Sequence, residues 1–242
     1  MRTFYKLALA TAVAAALMVV PTAAHAGFQL KITSSLGGGT LTVNDNNLLL
    51  GSHDDTRELE LGEIGLDTAI FGGYTISLSG GSSKPSLGSA GQPALALSYV
   101  VVRNSNGAAG TVTIEITDTG FTKAGNMFIV DTGGTNSKTT TTVKSGAGLN
   151  DVMYNQASSS AVAASSLSNF GIGSTFGIGS NGGNPYSLTI KAVIVDSGKK
   201  GNNGTGNIQL SGVPEPASLA MWGFGALGMM IVRKRRQAKL VA

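Results

Sequence analysis

The amino-acid sequence predicts an all-β fold, an antiparallel β-sandwich of the jelly-roll-like kind, with an N-terminal signal helix before it and a C-terminal transmembrane helix after it. Apolar residues alternate with polar ones in many short segments, the pattern of strands with one buried and one solvated face. Turn-forming residues separate these segments. The 242 residues include no cysteine. The sandwich must therefore be stabilised by burial of its apolar faces, without disulfides.

The first 26 residues have the three parts of a secretory signal peptide. A basic start precedes residues 7–20, which are apolar apart from one threonine, and Ala24 and Ala26 form an Ala-x-Ala end. At about 1.5 Å per residue the apolar part is roughly 21 Å long, too short for an ordinary membrane span of about 30 Å. We therefore predict cleavage by signal peptidase before Gly27.

Residues 27–212 are predicted to form the sandwich. Period-two alternation indicates strands at residues 28–33, 40–43, 74–78, 111–116, 186–190 and 207–210. More continuous apolar runs favour central strands at 94–102 and 192–195, and a threonine tract favours extended structure at 139–142. Glycine and asparagine pairs predict turns at residues 37–39, 80–81, 106–107, 133–134, 181–183 and 203–204.

Two segments are less regular. Residues 150–168 combine small residues with many serines, and both a short helix and a serine-rich loop fit this composition. Residues 170–174 and 176–180 both read Phe-Gly-Ile-Gly-Ser. Two copies are too few for a solenoid, so we interpret them as a glycine-rich segment held by two aromatic side chains.

The charge distribution argues against a nucleic-acid partner. The whole chain has a formal charge of +4, but its targeting ends carry the excess of positive charge. Residues 27–213 contain ten Lys or Arg against twelve Asp or Glu, a net charge of −2. Such a region offers no basic patch for phosphates. The absence of cysteine also excludes thiol nucleophiles, cysteine-ligated zinc and c-type haem attachment.

Few residues of the predicted sandwich carry catalytic or metal-binding chemistry. His53 is its only histidine, and its neighbouring serine and aspartates are too close in sequence to predict a catalytic triad. Asp45, Asp54 and Asp55 offer hard oxygen ligands in loops. They are candidates for a structural calcium or else solvated carboxylates, and we predict no other metal or cofactor.

Sugar-binding sites favour aromatic side chains that stack on sugar rings. The region has no tryptophan, and its candidate platforms are Tyr74, Tyr99, Tyr154 and Tyr186. Their alternating positions favour half-buried strand residues over exposed platforms.

The C-terminal segment, residues 213–242, has its own organisation. Pro214 and Pro216 flank Glu215, which prevents a regular helix or a central strand there. Residues 217–232 are apolar apart from one serine and would form a helix roughly 24 Å long. The basic cluster that follows is predicted to stay on the cytoplasmic side of a membrane, and it comprises Arg233, Lys234, Arg235 and Arg236.

This order of parts, which begins with Val213, Pro214, Glu215 and Pro216, resembles the PEP-CTERM sorting signal of Gram-negative bacteria. The resemblance implies recognition by an exosortase, a membrane-embedded transpeptidase-like cysteine enzyme, and processing near the Pro-Glu-Pro element. It also implies release to the cell surface or the extracellular matrix of a producer of exopolysaccharide. Residues 237–242 continue beyond the basic cluster, where many members of the family stop sooner.

Three segments of the mature region, residues 81–89, 118–122 and 185–189, resemble stretches found in PEP-CTERM exoproteins of unknown function, which implies a shared β-sandwich. Together these observations predict an exported, non-enzymatic protein that is anchored transiently in the inner membrane and is structural or adhesive in exopolysaccharide or biofilm. A carbohydrate-binding module and a secreted hydrolase are the alternatives.

Overall fold

The computed structural model describes residues 27–45, 61–122, 127–149, 151–155, 159–165, 169–177 and 185–213. In the order of the chain, the strands within these ranges are β1 (Gln29–Ser34), β2 (Thr40–Asn44), β3 (Glu63–Phe71), β4 (Tyr74–Ser82), β5 (Ala94–Arg103), β6 (Gly110–Phe121), β7 (Met127–Ser137), β8 (Thr139–Leu149), β9 (Ser159–Ser165), β10 (Asn169–Gly177), β11 (Tyr186–Asp196) and β12 (Asn203–Gly212). Among these residues there is no helix of the length and apolar character that a membrane span requires.

The strands form two six-stranded antiparallel sheets. Sheet 1 has the order β2-β1-β6-β11-β8-β9, and sheet 2 has the order β10-β7-β12-β5-β4-β3. Several neighbouring strands are distant in sequence, so each sheet is assembled from both halves of the chain. The prediction of an all-β antiparallel sandwich is confirmed. The predicted signal helix and transmembrane helix lie outside the described residues.

The core lies between the sheets and follows the predicted alternation. In β4, for example, Tyr74, Ile76 and Leu78 are buried, whereas Thr75 and Ser77 between them are partly exposed on the outer face. Burial of one such large apolar side chain contributes about 1.5–3 kcal/mol. One continuous apolar cluster joins residues from both sheets. A chain without disulfides is thus stabilised mainly by this layer.

Two buried ion pairs connect the sheets at opposite ends of β4. At the start of β4, Asp196 of sheet 1 accepts a hydrogen bond from Tyr74 and lies 3.6 Å from Nη1 of Arg103. Just beyond its end, Lys84 Nζ lies 3.0 Å from Oδ2 of Asp118 in sheet 1. Burial raises the pKa of Asp118, and Lys84 acts against that rise. One pair joins a cation of β5 in sheet 2, and the other the lysine that follows β4, to a carboxylate of sheet 1.

Three of the predicted glycine turns are wrong. Residues 80–81, 133–134 and 203–204 lie inside β4, β7 and β12 rather than between strands. In β4 the register shifts between Leu78 and Gly80, which is a β-bulge within the strand. In β7 a Cβ on Gly134 would lie 2.1 Å from the Thr205 carbonyl oxygen, so glycine is needed there for close approach of a neighbouring strand.

Within residues 150–168, for which a short helix or a serine-rich loop was predicted, the described residues 159–165 form a strand instead. β9 pairs antiparallel with β8, from Thr141 opposite Ser165 to Ala147 opposite Ser159. Alanine and serine have weak intrinsic preferences, so strand pairing determines the conformation of this segment. The first Phe-Gly-Ile-Gly-Ser copy and the start of the second are more regular than predicted, because residues 169–177 form β10 along β7.

Replacing Lys84 by methionine is expected to lower the free energy of unfolding by about 3–5 kcal/mol, because the buried Asp118 carboxylate would lose its counter-charge. The double variant Lys84→Met/Asp118→Leu is expected to recover most of this loss, since it leaves no unpaired buried charge at this position. Urea unfolding of the full chain measures both.

The exposed Lys199 provides the matched control. Lys199→Met is expected to change the free energy of unfolding by no more than about 0.5 kcal/mol. If Lys84→Met cost no more than this control, the ion pair would not contribute to joining the sheets.

Candidate functional site

The outer face of sheet 2 contains an open groove with a cavity volume of about 430 Å³. We call it the glycine groove and define it by six residues of β10, β7 and β12. Strand register arranges them in two adjacent rows: Gly173, Asp131 and Gln209 in one, and Gly171, Gly133 and Asn207 in the other. Residues of one row lie on neighbouring strands about 4.7–4.9 Å apart, so the groove crosses three strands.

Glycine forms the floor of this groove. A Cβ built on Gly171 would have the Thr132 carbonyl oxygen as its nearest heavy atom at 4.0 Å, and one on Gly133 would lie 3.6 Å from the Phe170 carbonyl oxygen. These are ordinary van der Waals distances, so the fold itself has room for a side chain at both positions. Their glycines leave the depression open rather than satisfy a constraint of the backbone.

Three polar side chains border the glycine floor. Asp131, Asn207 and Gln209 are all exposed. Within the part of the chain that the structure describes, their side chains make no hydrogen bond or ion pair. In the next row along the strands, by contrast, the hydroxyls of Thr135 and Thr205 bond to each other at 2.8 Å. The groove thus presents polar groups that are not used by the fold.

The chemistry of these groups suits a ligand rich in hydroxyls. An amide both donates and accepts hydrogen bonds, and a carboxylate accepts several, so together they can bind adjacent hydroxyl groups. Ile129 lies next to Asp131 on the same face of β7 and is 38% exposed. It offers an apolar contact beside the polar groups.

A row of charged side chains crosses the outer face of the other sheet. Lys31, Glu115, Lys191 and Lys144 lie directly opposite one another on β1, β6, β11 and β8, and we call them the lysine row. Glu115 accepts contacts of 2.9 Å from both Lys31 and Lys191. Burial opposes ionisation of Glu115, but the hydrogen bonds and charges of these two lysines outweigh it and lower its pKa.

The tyrosines proposed as sugar platforms are mostly core residues. Tyr74, Tyr99 and Tyr186 are each 2% exposed, so they are more deeply buried than predicted. Burial raises the pKa of Tyr74 to about 12 and raises the pKa of Tyr99 and Tyr186 further. Tyr154 is partly exposed on the segment that follows β8 and lies near Lys31.

The calcium candidates are described only in part. Asp45 follows β2, and its Oδ2 accepts a hydrogen bond of 2.8 Å from the Gly62 amide. Asp54, Asp55 and His53 lie outside the described residues. Among the residues that are described, no group of three or more His, Cys, Asp or Glu side chains could hold a metal ion.

The structure reaches only the first residue of the predicted sorting signal. Val213 directly follows β12, and its amide donates a hydrogen bond of 2.9 Å to the Met127 carbonyl oxygen. Ala24 and Ala26 of the predicted cleavage site lie outside the described residues. So do the other residues of the predicted sorting signal, which are Pro214, Glu215, Pro216, Arg233, Lys234, Arg235 and Arg236.

The groove residues were not candidates in the sequence. Asp131, Gly171 and Asn207 are far apart along the chain and meet only through the register of β10, β7 and β12. The available signal was the alternation in residues 169–177, which places Phe170, Ile172 and Phe176 on one face and small residues on the other.

No protein-family model matches the chain, and no curated protein matches it either. Among solved structures, an alignment with the enzymatically active domain of bacteriophage CBA120 tailspike protein 4 has a TM-score of 0.30 at 13% identity and covers 58% of this chain and 19% of that one. An alignment with TmCBM61 in complex with β-1,4-galactotriose has a TM-score of 0.30 at 9% identity and covers 58% and 88%. One with the N-terminal cellulose-binding domain of Cellulomonas fimi β-1,4-glucanase C has a TM-score of 0.23 at 14% identity and covers 62% and 95%. TM-scores of this size do not establish a common fold.

Glu115 is expected to make folding stability depend on pH. Its folded pKa lies below the ordinary value of 4.5, so its contribution is present above that pH and is lost as the pH falls through the folded pKa. Urea midpoints measured from about pH 6 to about pH 3 are therefore expected to fall less in Glu115→Gln than in the unmodified chain.

The two neighbouring lysines provide a test of the cause. In a Lys31→Met/Lys191→Met background, burial of Glu115 is no longer offset, so its folded pKa is expected to lie above the ordinary value. Glu115→Gln is then no longer expected to reduce the loss of stability on acidification. Equal pH profiles for Glu115→Gln and the unmodified chain would contradict the assignment.

Proposed function

We propose that this protein is an exported, non-catalytic domain displayed at the cell surface or in the extracellular matrix, and that its glycine groove binds a neutral polysaccharide. Binding to such a polymer would give the protein an adhesive or structural role in the matrix. The observation that carries the proposal is the set of Asp131, Asn207 and Gln209 side chains around a glycine floor.

Several features of the groove support a saccharide ligand. The groove is open and crosses the strands, which suits an extended chain better than a compact molecule. Its polar groups can pair with hydroxyls, and Ile129 can contact the C–H face of a sugar ring in place of an aromatic side chain. Asp131 is its single charged group among the described residues, which disfavours an acidic polymer at this position.

The same groove supports binding rather than cleavage. Glycoside hydrolysis uses two carboxyl groups on either side of the scissile bond. Asp131 is the only carboxylate among the residues that line the groove within the described ranges. A secreted hydrolase is therefore the weaker proposal for this face.

Export and sorting are the second part of the proposal. A signal peptide ending at Ala26 and a C-terminal segment that resembles the PEP-CTERM signal support export, recognition by exosortase and release outside the cell. β12 ends at Gly212, so the Pro-Glu-Pro element follows the sandwich directly in the sequence, which supports processing there.

The groove is tested by filling its floor. Gly171→Val adds a β-branched side chain, which strands favour, at a position where the fold has room for a Cβ. The full chain is expected to keep its urea midpoint but to lose at least about tenfold in affinity for the neutral polysaccharides it binds on a glycan array. Asn207→Ala/Gln209→Ala is expected to weaken binding by a similar factor, because hydrogen bonds are lost.

Gly80→Val is the matched control for this experiment. Gly80 belongs to β4 of the same sheet, and a Cβ there would have no heavy atom within 4 Å. This variant is expected to bind as the unmodified chain does. Equal binding by Gly171→Val and Gly80→Val, or no binding of any neutral polysaccharide, would reject the groove as the site.

Sorting is tested by mass spectrometry of the extracellular fraction. We expect a mature species that begins at Gly27 and ends near the Pro-Glu-Pro element. Replacing Arg233, Lys234, Arg235 and Arg236 with alanine is expected to leave the protein misrouted, because the positive charge that holds the tail in the cytoplasm is removed.

The exposed pair Lys199 and Lys200 provides the control for charge removal. Alanine at both positions is expected to leave release unchanged. Unchanged release of the variant with the altered basic cluster would contradict the sorting proposal.

A further inference from the structure

The buried pair of Lys84 and Asp118 brings an amine and a carboxyl group into contact inside the sandwich. Lys84 is 8% exposed and Asp118 is fully buried, and Lys84 Nζ lies 3.0 Å from Oδ2 of Asp118. The fully buried ring of Phe121 lies beside the amine, with its centroid 4.1 Å from Nζ. The two groups are therefore held together where most water is excluded, an arrangement that favours reaction between them.

The two oxygens of Asp118 have different hydrogen-bond partners. Oδ1 accepts a hydrogen bond of 2.7 Å from the Thr119 amide. Oδ2 accepts hydrogen bonds from both the Ser83 hydroxyl and Lys84 Nζ. A backbone donor at Oδ1 stabilises negative charge that develops on that oxygen, whereas the groups around Oδ2 can transfer protons to it. The carboxyl group thus has one oxygen suited to remain and one suited to leave.

Burial also favours the uncharged forms of this pair. It raises the pKa of Asp118, and the charge of Lys84 and the hydrogen bonds to the carboxylate act against that rise. Transfer of one proton from Nζ to Oδ2 converts the ammonium and the carboxylate into an amine and a carboxylic acid, which removes two charges from the interior. The amine is then a nucleophile, and a carboxylic acid is attacked more readily than a carboxylate.

The other buried ion pair does not offer this chemistry. Asp196 is paired with Arg103, whose guanidinium keeps its proton in proteins and is not a nucleophile. A buried lysine, by contrast, can lose its proton. Of these two pairs, only that of Lys84 and Asp118 can react.

We propose that Lys84 and Asp118 become joined by an intramolecular amide bond after the chain folds. Nζ of the uncharged lysine attacks Cγ of the protonated Asp118, and a C–N bond forms. Nζ then releases one further proton through the Ser83 hydroxyl to Oδ2, the Cγ–Oδ2 bond breaks, and Oδ2 leaves as water. Oδ1 becomes the carbonyl oxygen of the amide. One ammonium and one carboxylate are thus converted into one amide and one water, and no oxidant or other reactant is needed.

This bond connects the segment that follows β4 to β6 of sheet 1. It gives a chain without cysteine a covalent link of the kind that many exported proteins obtain from disulfides, and reducing agents do not cleave it. The link depends neither on a ligand in the glycine groove nor on the sorting signal. The ion pair is the precursor of the bond, so the stability of the ion pair is measured on protein that still has its full sequence mass.

Mass spectrometry of the intact full chain tests the proposal. The folded chain is expected to be lighter than its sequence by one water, whereas chain purified and kept in urea is expected to have the full sequence mass. After proteolysis of the folded chain, fragment ions are expected to place the lost water at a link between Lys84 and Asp118. This last measurement needs no variant, so it does not depend on the folding of one.

Three variants test the roles of the side chains. Lys84→Arg keeps a positive charge beside Asp118 but removes the nucleophile, so it is expected to keep the full sequence mass after folding. Lys199→Arg, at an exposed position, is the matched control and is expected to lose water as the unmodified chain does. Ser83→Ala is expected to lose water at least about tenfold more slowly, because the path for the proton to Oδ2 is removed.

Three results would overturn the proposal. One is a folded, unmodified chain that keeps its full sequence mass. Another is loss of water in Lys84→Arg to the same extent as in Lys199→Arg. The third is a loss of water that fragment ions place away from Lys84, such as a cyclised aspartate elsewhere in the chain.

Discussion

The alignment of the two sheets depends on two buried carboxylates of sheet 1, one paired with a cation of β5 in sheet 2 and one with the lysine that follows β4. Asp196 meets Arg103 at one end of β4, and Asp118 meets Lys84 at the other. A buried ion pair contributes little net stability against an apolar replacement, but it strongly disfavours any arrangement that separates its partners. In a chain without disulfides, the apolar layer therefore supplies most of the stability, and the two pairs at its ends fix how one sheet lies on the other.

Once the inner faces are fixed in this way, the outer faces can vary without loss of the core. Period-two alternation makes every second residue of a strand independent of the packed layer. Sheet 2 uses this freedom at Gly171 and Gly133, where a side chain would fit but glycine leaves a depression. Sheet 1 uses it at Glu115, which pairs with Lys31 and Lys191 on the outer face.

Most of the fold could be predicted from the sequence, because alternation reports directly which residues face the core. The errors have physical causes. Gly133 and Gly134 suggested a turn, yet both lie within β7. Glycine is needed at position 134 because the neighbouring β12 backbone approaches too closely for a Cβ. The alanines and serines of β9 have no strong intrinsic preference for a helix or a strand, so pairing with β8 determines their conformation. The groove could not be predicted, since Asp131 and Asn207 meet only through strand register. The buried ion pairs could not be predicted either, because Asp118 and Asp196 are distant in sequence from Lys84 and Arg103.

The low charge content of the chain makes the position of each charge informative. Charged residues are 12% of the sequence, against about 25% in an average domain. Four of the described ones are buried in the two ion pairs, and four form the lysine row. Others, such as Lys138 and Lys199, lie at turns. Glu63 and Asp67 lie on the edge strand β3, where charged side chains discourage pairing with a strand of another chain. This distribution leaves Asp131 as the single charge in the groove within the described residues, so a neutral polymer can lie across that face without desolvating other ions. Among the described residues, the groove on the outer face of sheet 2 is therefore lined by one carboxylate and no cation, whereas the outer face of sheet 1 carries the lysine row.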